Sequence, residues 1–316
     1  MEGLGSMAHK GYGKLILFGE HFVVYKVPAL VAAVADYTEC EVKLVPGKSG
    51  VSGDDDRPAV PGYKVEKKEE HDEAVKLVLK HMSCDFESQG VQVNFGGTLT
   101  AVSGIGASAA ATVSLARAVA AAQGKTLSEE EINQAGYEGE KGYHGTPSGI
   151  DNTAATYGGV LRFQRTDGDP IFVTKKLKTP VEVVYASTGI TASTSKVVAD
   201  VRAKKEANEE WFASLIAKYE ALVVKGEKAL DDADWAALGG LLNENHALCQ
   251  ELTVSCKELD TLVDAARAAG AIGAKMSGTG RGGLMLALTP GKASQDAVAE
   301  ALLKAGAAQV WKTTFA

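Results

Sequence analysis

Between Ser103 and Ala110 the chain reads Ser-Gly-Ile-Gly-Ala-Ser-Ala-Ala, after a strand-like run at Val91 to Phe95 and before a helix-like run from Ala109 to Gln123. With side chains mostly no larger than methyl or hydroxymethyl, backbone N–H groups can approach an anion closely, and the helix points its positive dipole end at the same place. That is the chemistry of a phosphate loop, with Ser103, Gly104, Ile105, Gly106, Ala107, Ser108 and Ala109 as candidate binding residues. A plain strand-to-helix turn uses the same residue types to relieve backbone strain. Acids able to hold a divalent cation favour the first reading. Glu140 precedes His144-Gly-Thr-Pro-Ser-Gly-Ile-Asp151, where Pro147 and the glycines enforce a turn and deliver Asp151 just past it. Singly, Glu140 reads as a solvated helix glutamate and Asp151 as a helix cap; beside the loop they read as a set.

A second glycine cluster, Ser277-Gly-Thr-Gly-Arg-Gly-Gly283, formally matches a dinucleotide-binding fingerprint through Gly278, Gly280 and Gly283. That fingerprint requires a helix after the glycines, and a strand-like Leu284-Met-Leu-Ala-Leu288 follows instead. A Walker A loop fails too, because Val42 and Val119 stand where Gly47-Lys-Ser49 and Gly124-Lys-Thr126 would need their first glycine.

The elements that must position these residues open with Lys14 to Phe18, an apolar run suited to a buried strand, and with the apolar stretch Val23 to Ala35, broken by Pro28. Val42 to Val45 extends the sheet, and Pro46 to Pro61 reads as an exposed loop. The charge run Lys64 to Glu73 leads into an amphipathic helix with Val75, Val78, Leu79 and Met82 on one face. Ser128 with Glu131 forms a capping-box signature that starts a helix carrying Glu140 toward its far end. Strands follow at Val160 to Arg165, Ile171 to Lys175 and Val181 to Tyr185. Three helical stretches come next, at Lys196 to Leu230, Asp234 to Leu252 and Cys256 to Ala269. Strands near Ala271 to Met276 and at Leu284 to Leu288, a helix from Ala293 to Ala305 and a strand from Gln309 to Thr314 complete the pattern. It is α/β plus α+β, with a domain boundary expected near 180, giving domains 1–179 and 180–316. Met1 to Ala8 has the look of an expression scar, with Met7 an alternative start, and is set aside.

The chain has 316 residues, 45% hydrophobic and 23% charged, with a net charge of −7. Such a balance excludes the overall basic character that draws nucleic acid or anionic membranes, so an anionic ligand needs a local site. Cys40, Cys84, Cys249 and Cys256 lack metal-ligand spacing and disulfide density, and read as free thiols of an intracellular protein. No apolar stretch reaches membrane-spanning length, and a soluble cytoplasmic protein is expected.

Gly13-Lys-Leu-Ile-Leu-Phe-Gly-Glu-His-Phe-Val-Val-Tyr25, followed by Pro28-Ala-Leu30, resembles the first signature of the GHMP kinases. The resemblance extends in order through the Ser103 to Ala110 loop, Glu140 to Asp151 with Gly158-Gly159, and Lys275 to Gly283. It implies a two-domain fold, with an N-terminal domain like ribosomal protein S5 domain 2 and a ferredoxin-like C-terminal domain, and ATP and acceptor meeting in a cleft between domains. It further implies ATP with Mg2+ as cofactors, Ser108 and Glu140 as magnesium ligands, and Asp151 as the base that deprotonates the attacking hydroxyl. Lys14 is expected beside Asp151, where a cation favours the alkoxide. The resemblance also puts Gly278 and Gly280 at the nucleotide, and Glu20, His21, Arg162 and Thr194 near the acceptor. Lys14 as a surface cation at a strand start, and Arg162 on the solvent face of a strand, are the plainer readings of those residues.

The Gly-Glu-His-x-Val-Val-Tyr form implies mevalonate as the acceptor. Phosphomevalonate, homoserine and galactose are the rival acceptors, and a catalytically silent binding protein on the same scaffold is the rival from another class. Intact Lys14, Ser108, Glu140 and Asp151 speak against silence. Departures from the family pattern are Lys26 for glycine, Ala101 for proline, Ala107 for the first of two serines and Ala192 for a basic residue, a loss for which Arg281 is the available substitute. A homodimer is compatible with the resemblance. Lys14-Leu15 with His21-Phe22 also fits a loose peroxisomal targeting pattern, read as coincidence because these residues lie in the catalytic motif.

Overall fold

The computed structural model describes residues 9–315; the Met1 to Ala8 segment lies outside them. In chain order the elements begin with β1 (His9–Phe18), a 3-10 turn (Val23–Tyr25), β2 (Ala29–Val45), β3 (Val51–Ser52), α1 (Tyr63–Glu66), α2 (Lys68–His81) and β4 (Gly90–Gly97). Next come α3 (Ala107–Ala122), α4 (Glu129–His144), α5 (Ile150–Tyr157), β5 (Val160–Gln164), β6 (Ile171–Lys175) and β7 (Val181–Ser187). The remainder is α6 (Thr194–Ala207), α7 (Glu209–Asp232), α8 (Trp235–Glu251), α9 (Lys257–Ala268), β8 (Gly273–Ser277), β9 (Leu284–Leu288), α10 (Lys292–Lys304) and β10 (Gln309–Phe315).

Compactness divides the chain by a different rule from a single cut near 180. One unit comprises residues 9–13, Asp36–Ala101 and Gly106–Tyr157; the other comprises Lys14–Ala35, Val102–Ile105 and 158–315. The two are called here the helical unit and the four-strand unit. Strands β1 and β2, which pair with each other, contribute residues to both.

In the helical unit, β4 pairs antiparallel with residues 38–45 of β2 and parallel with β3. Helices α2, α3, α4 and α5 pack on one another, around a core that includes Val78, Leu79, Val91, Val113, Leu115, Val119 and Ile132. Helix α3 is buried on almost every face, as its Ala-rich composition demands, since a helix without a polar face has nowhere to put one. The acidic start of α4 is closed by the expected capping box: Ser128 Oγ accepts from Glu131 N, and Glu131 accepts from Ser128 N at 2.7 Å.

In the four-strand unit, residues 29–32 of β2 pair antiparallel with β5, which pairs with β6. A separate antiparallel sheet has the order β10-β7-β9-β8, packed against by α8, α9 and α10. Most strands fall where the apolar runs place them. Four differences have physical causes. Val23 to Ala35 and Val42 to Val45 belong largely to one 17-residue strand, because Pro28 precedes rather than interrupts it. Part of the loop from Pro46 to Pro61 pairs with β4 as β3. The helix expected from 196 to 230 breaks at Asn208, whose extended backbone ends α6 and whose side chain caps α7 by accepting from Trp211 N at 3.0 Å. Helix α5 was not foreseen: eight residues are too few to announce themselves by periodicity, and its packing on α3 and α4 sustains it.

Candidate active site

The phosphate-loop candidates pass from one unit to the other along the chain, Ser103–Ile105 in the four-strand unit and Gly106–Ala109 in the helical unit. Gly104 and Gly106 hold φ of +96° and +78°, which only glycine adopts without strain. Gly106 caps α3 without any side-chain hydrogen bond, so the first-turn N–H groups, unlike those of α4, are left for an anion.

Within the helical unit, Ser108 lies in the first turn of α3 and Glu140 near the end of α4, both buried. Glycines bring these helices together. A Cβ on Gly136 would lie 2.7 Å from Val113 Cγ2, one on Gly139 2.6 Å from Thr112 Cγ2, and one on Gly142 2.6 Å from the backbone N of Ala74 in α2. Thr112, which Gly139 approaches, is one turn beyond Ser108 on the same face of α3, and Glu140 follows Gly139 in α4. Two oxygen ligands, completed by phosphate oxygens and water, suit Mg2+. Among the described residues no cluster of three or more His, Cys, Asp or Glu could hold a metal by itself. His144 Nε2 stands 3.7 Å from Glu140 Oε2. Asp151 is half-buried in the first turn of α5. Its neighbour Asn152 fastens α5 to α4 by donating from Nδ2 to Asn133 Oδ1 at 2.7 Å. The Gly136-x-x-Gly139-x-x-Gly142 spacing was a legible signal of this close approach that the motif reading passed over.

Sequence reasoning left the base-binding region open. The helical unit contains a cavity of about 440 Å³ lined among others by Arg57, Tyr63, Lys67, His71, Phe95 and Tyr143. Arg57 is buried, pairs with Asp55 at 2.7 Å, covers the Phe95 ring at 5.1 Å and donates to the Ala107 carbonyl at 3.4 Å. The cavity thereby adjoins the N-terminus of α3. Burial holds the His71 imidazole down at about 4 and pushes the Tyr63 phenol up to about 12, so both are neutral at pH 7.

In the four-strand unit, Lys14 N donates to the Ile105 carbonyl at 2.8 Å and Lys14 Nζ to the Gly104 carbonyl at 3.0 Å. The second glycine turn faces the same segment: a Cβ on Gly278 would lie 3.3 Å from Gly104 Cα, and one on Gly280 only 2.0 Å from the Val254 carbonyl. As the strand after these glycines requires, the turn is not a dinucleotide fingerprint. His21 Nε2 donates to the Thr279 carbonyl at 2.7 Å, and Thr194 Oγ1 meets Thr279 Oγ1 at 2.7 Å. Lys14, His21, Ser103–Ile105, Thr194, Gly278 and Gly280 thus share one neighbourhood. Glu20 is wholly buried in an ion pair with Lys275. Arg162 stands on β5 with its Nε 3.2 Å from Glu227 Oε2, a carboxylate that Lys175 also holds at 2.6 Å. Arg281, the candidate substitute for the basic residue missing at Ala192, pairs with Asp200. Lys14, Leu15, His21 and Phe22 are all buried.

Residues 71–159 match the GHMP kinases N terminal domain and residues 227–308 the GHMP kinases C terminal region. A curated relative in Pyrococcus furiosus, a mevalonate kinase, is 36% identical over 319 residues, covering 93% of this chain and 91% of its own. The chain belongs to the GHMP kinases. Another relative of this GHMP kinase, the mevalonate kinase of Thermococcus onnurineus, is 34% identical with 90% of each chain covered. Among solved structures, L. major mevalonate kinase in complex with R-mevalonate superposes with a TM-score of 0.94 at 43% identity, covering 98% of this chain and 96% of that one. Lactococcus lactis galactokinase, at 18% identity and a TM-score of 0.74, shares the fold.

Proposed function

We infer that this GHMP kinase transfers the γ-phosphoryl group of ATP to the 5-hydroxyl of mevalonate, giving 5-phosphomevalonate and ADP. The observation that carries this reading is the 43% identity, over nearly the whole chain, to a mevalonate kinase solved with R-mevalonate. The hydroxyl oxygen bonds to the γ-phosphorus, the bond to the bridging oxygen of ADP breaks, and Asp151 takes the hydroxyl proton. Lys14 supplies a cation for the developing charge. Its grip on the Gly104 carbonyl supports a role at the phosphate loop. The open N–H groups at the start of α3 receive phosphate oxygens.

Ser108 and Glu140 would hold Mg2+, which neutralises phosphate charge when bound. The cavity around Arg57, His71 and Tyr143 is of a size and aromatic character suited to the adenosine end, and its contact with Ala107 supports that use. His21, Thr194 and Arg162 are assigned to the acceptor. Burial lowers the affinity of His21 for a proton, and with Nε2 donating to Thr279, its Nδ1 is an acceptor suited to a substrate hydroxyl. Arg162 would exchange Glu227 for the substrate carboxylate. A cytoplasmic location is the reading that four free cysteines support; among the described residues no helix is long and apolar enough to cross a membrane.

The test is an acceptor screen with coupled detection of ADP. Release of ADP with mevalonate alone is expected. Release with homoserine, galactose or phosphomevalonate but not mevalonate overturns the acceptor, and silence with all four returns the binding-protein reading.

A further inference from the structure

His21 holds φ +60°, a left-handed conformation that a residue with a Cβ keeps only where its surroundings enforce it. The turn around it is tight, with Phe22 N donating to the Glu20 carbonyl at 2.7 Å and Val23 N to the Gly19 carbonyl at 3.0 Å. Both neighbours of His21 are anchored. On one side the Phe22 ring stacks on Tyr219 with centroids 4.3 Å apart. On the other, the Glu20 carboxylate receives the Lys275 ammonium, and neither side chain has any exposed surface. Lys275 Nζ also donates to the Met276 carbonyl at 2.6 Å and the Ile16 carbonyl at 3.3 Å, so its three protons are all directed to acceptors. His21 Nδ1 is buried and has no hydrogen-bond partner among the described residues.

We propose that Glu20 and Lys275 form a positioning pair that holds His21 for the acceptor, and that Glu20 does not itself touch mevalonate. This rests on the reading of His21 as an acceptor ligand. Glu20 Oε1 is engaged by the Lys275 ammonium, a stronger partner for a fully buried carboxylate in low dielectric than a neutral hydroxyl, while Oε2 is buried with no hydrogen-bond partner among the described residues. Burial raises the Glu20 carboxyl above its ordinary value, opposed chiefly by Lys275, so the charged form of Glu20 depends on that ammonium. Partners 255 residues apart thereby tie the first signature to the strand that leads into the second glycine turn.

A double-mutant cycle with Glu20→Gln and Lys275→Gln tests the pair, with KM for mevalonate and for ATP as readouts and circular dichroism to check folding. Each single variant strands one buried charge and is expected to raise the mevalonate KM tenfold or more, with the ATP KM within threefold. The double variant carries no buried charge and keeps amides able to hydrogen-bond, so its mevalonate KM is expected within about threefold of the parent. If the singles do not fold, the double variant alone decides. A mevalonate KM raised tenfold or more in the double variant, with His21→Asn likewise raised, overturns the pair and returns Glu20 to the acceptor. An unchanged mevalonate KM in His21→Asn overturns the acceptor role of His21 and the pair's purpose with it.

Discussion

The two units place their functional side chains by opposite means. In the helical unit, Ser108, Glu140 and Asp151 ride on helices brought together by small residues: α3 is mostly alanine, and α4 approaches α3 and α2 through Gly136, Gly139 and Gly142. Apolar closeness does the positioning. In the four-strand unit, Lys14, His21 and Thr194 are set by long-range polar bonds. Ile16 N donates to Ser277 Oγ at 2.9 Å, His21 to Thr279, Lys275 to Glu20, and Met276 N to His246 Nδ1 at 3.2 Å. Packing of small residues fixes how near two helices lie, whereas directional bonds fix the orientation of a strained turn, and each region needs the property it has.

In the proposed function, proton transfer falls to the helical unit and acceptor binding to the four-strand unit. Asp151→Asn is expected to lower kcat by about 10²–10⁴-fold while mevalonate and ATP affinities stay within a few fold, since shape is kept and proton acceptance is lost. Steady-state kinetics on both substrates check this; a KM effect without a kcat effect would move Asp151 to binding.

Stability sharpens the same contrast. Gly142→Ala forces a Cβ onto the backbone of α2 and is expected to cost about 3 kcal/mol. Ser277→Ala leaves Ile16 N without its buried acceptor and should cost about 2 kcal/mol. Urea unfolding of both variants measures the difference, and full tolerance of Gly142→Ala would break the packing account.

Each unit also holds a histidine that desolvation keeps at about 4, the half-buried His71 in one and the buried His246 in the other. Because the unfolded chain takes up the proton first, near 6.5, each contribution is complete above that pH and is lost as pH falls toward 4. From pH 7 to pH 5 each is expected to cost about 2 kcal/mol. His71→Gln should flatten the acid slope of unfolding free energy by that amount; an unaltered slope would remove His71 from the account.

Smaller effects are expected at groups that have substitutes. Arg162→Met should raise the mevalonate KM by about 1–2 kcal/mol, limited because Glu227 already competes for the guanidinium, and Glu227→Gln should lower it. An unchanged KM in both variants leaves Arg162 as a structural member of the Glu227–Lys175 network. If Ser108 is the neutral magnesium ligand proposed above, water can replace it in Ser108→Ala, and raised magnesium should partly restore the turnover. Magnesium dependence identical to the parent would return Ser108 to a structural role.

Much of this protein is determined by short stretches of its sequence. The capping box at Ser128, the strand Leu284–Leu288 after the second glycine turn, and the positive-φ glycines of the phosphate loop each depend on interactions within a few residues, and each reads directly. The order of the motifs was enough to point to the GHMP kinases. Tertiary structure alone decided the rest, because the partners lie far apart in the chain. Helix α5 is too short to stand without α3 and α4 beneath it. Arg57 entered the cavity wall only when Ala107, fifty residues on, came within reach. Glu20, which by motif belonged to the acceptor, is paired with Lys275, 255 residues away. Composition and spacing cannot say which charge a buried carboxylate meets; desolvation demands that it meet one, and only the fold supplies the partner.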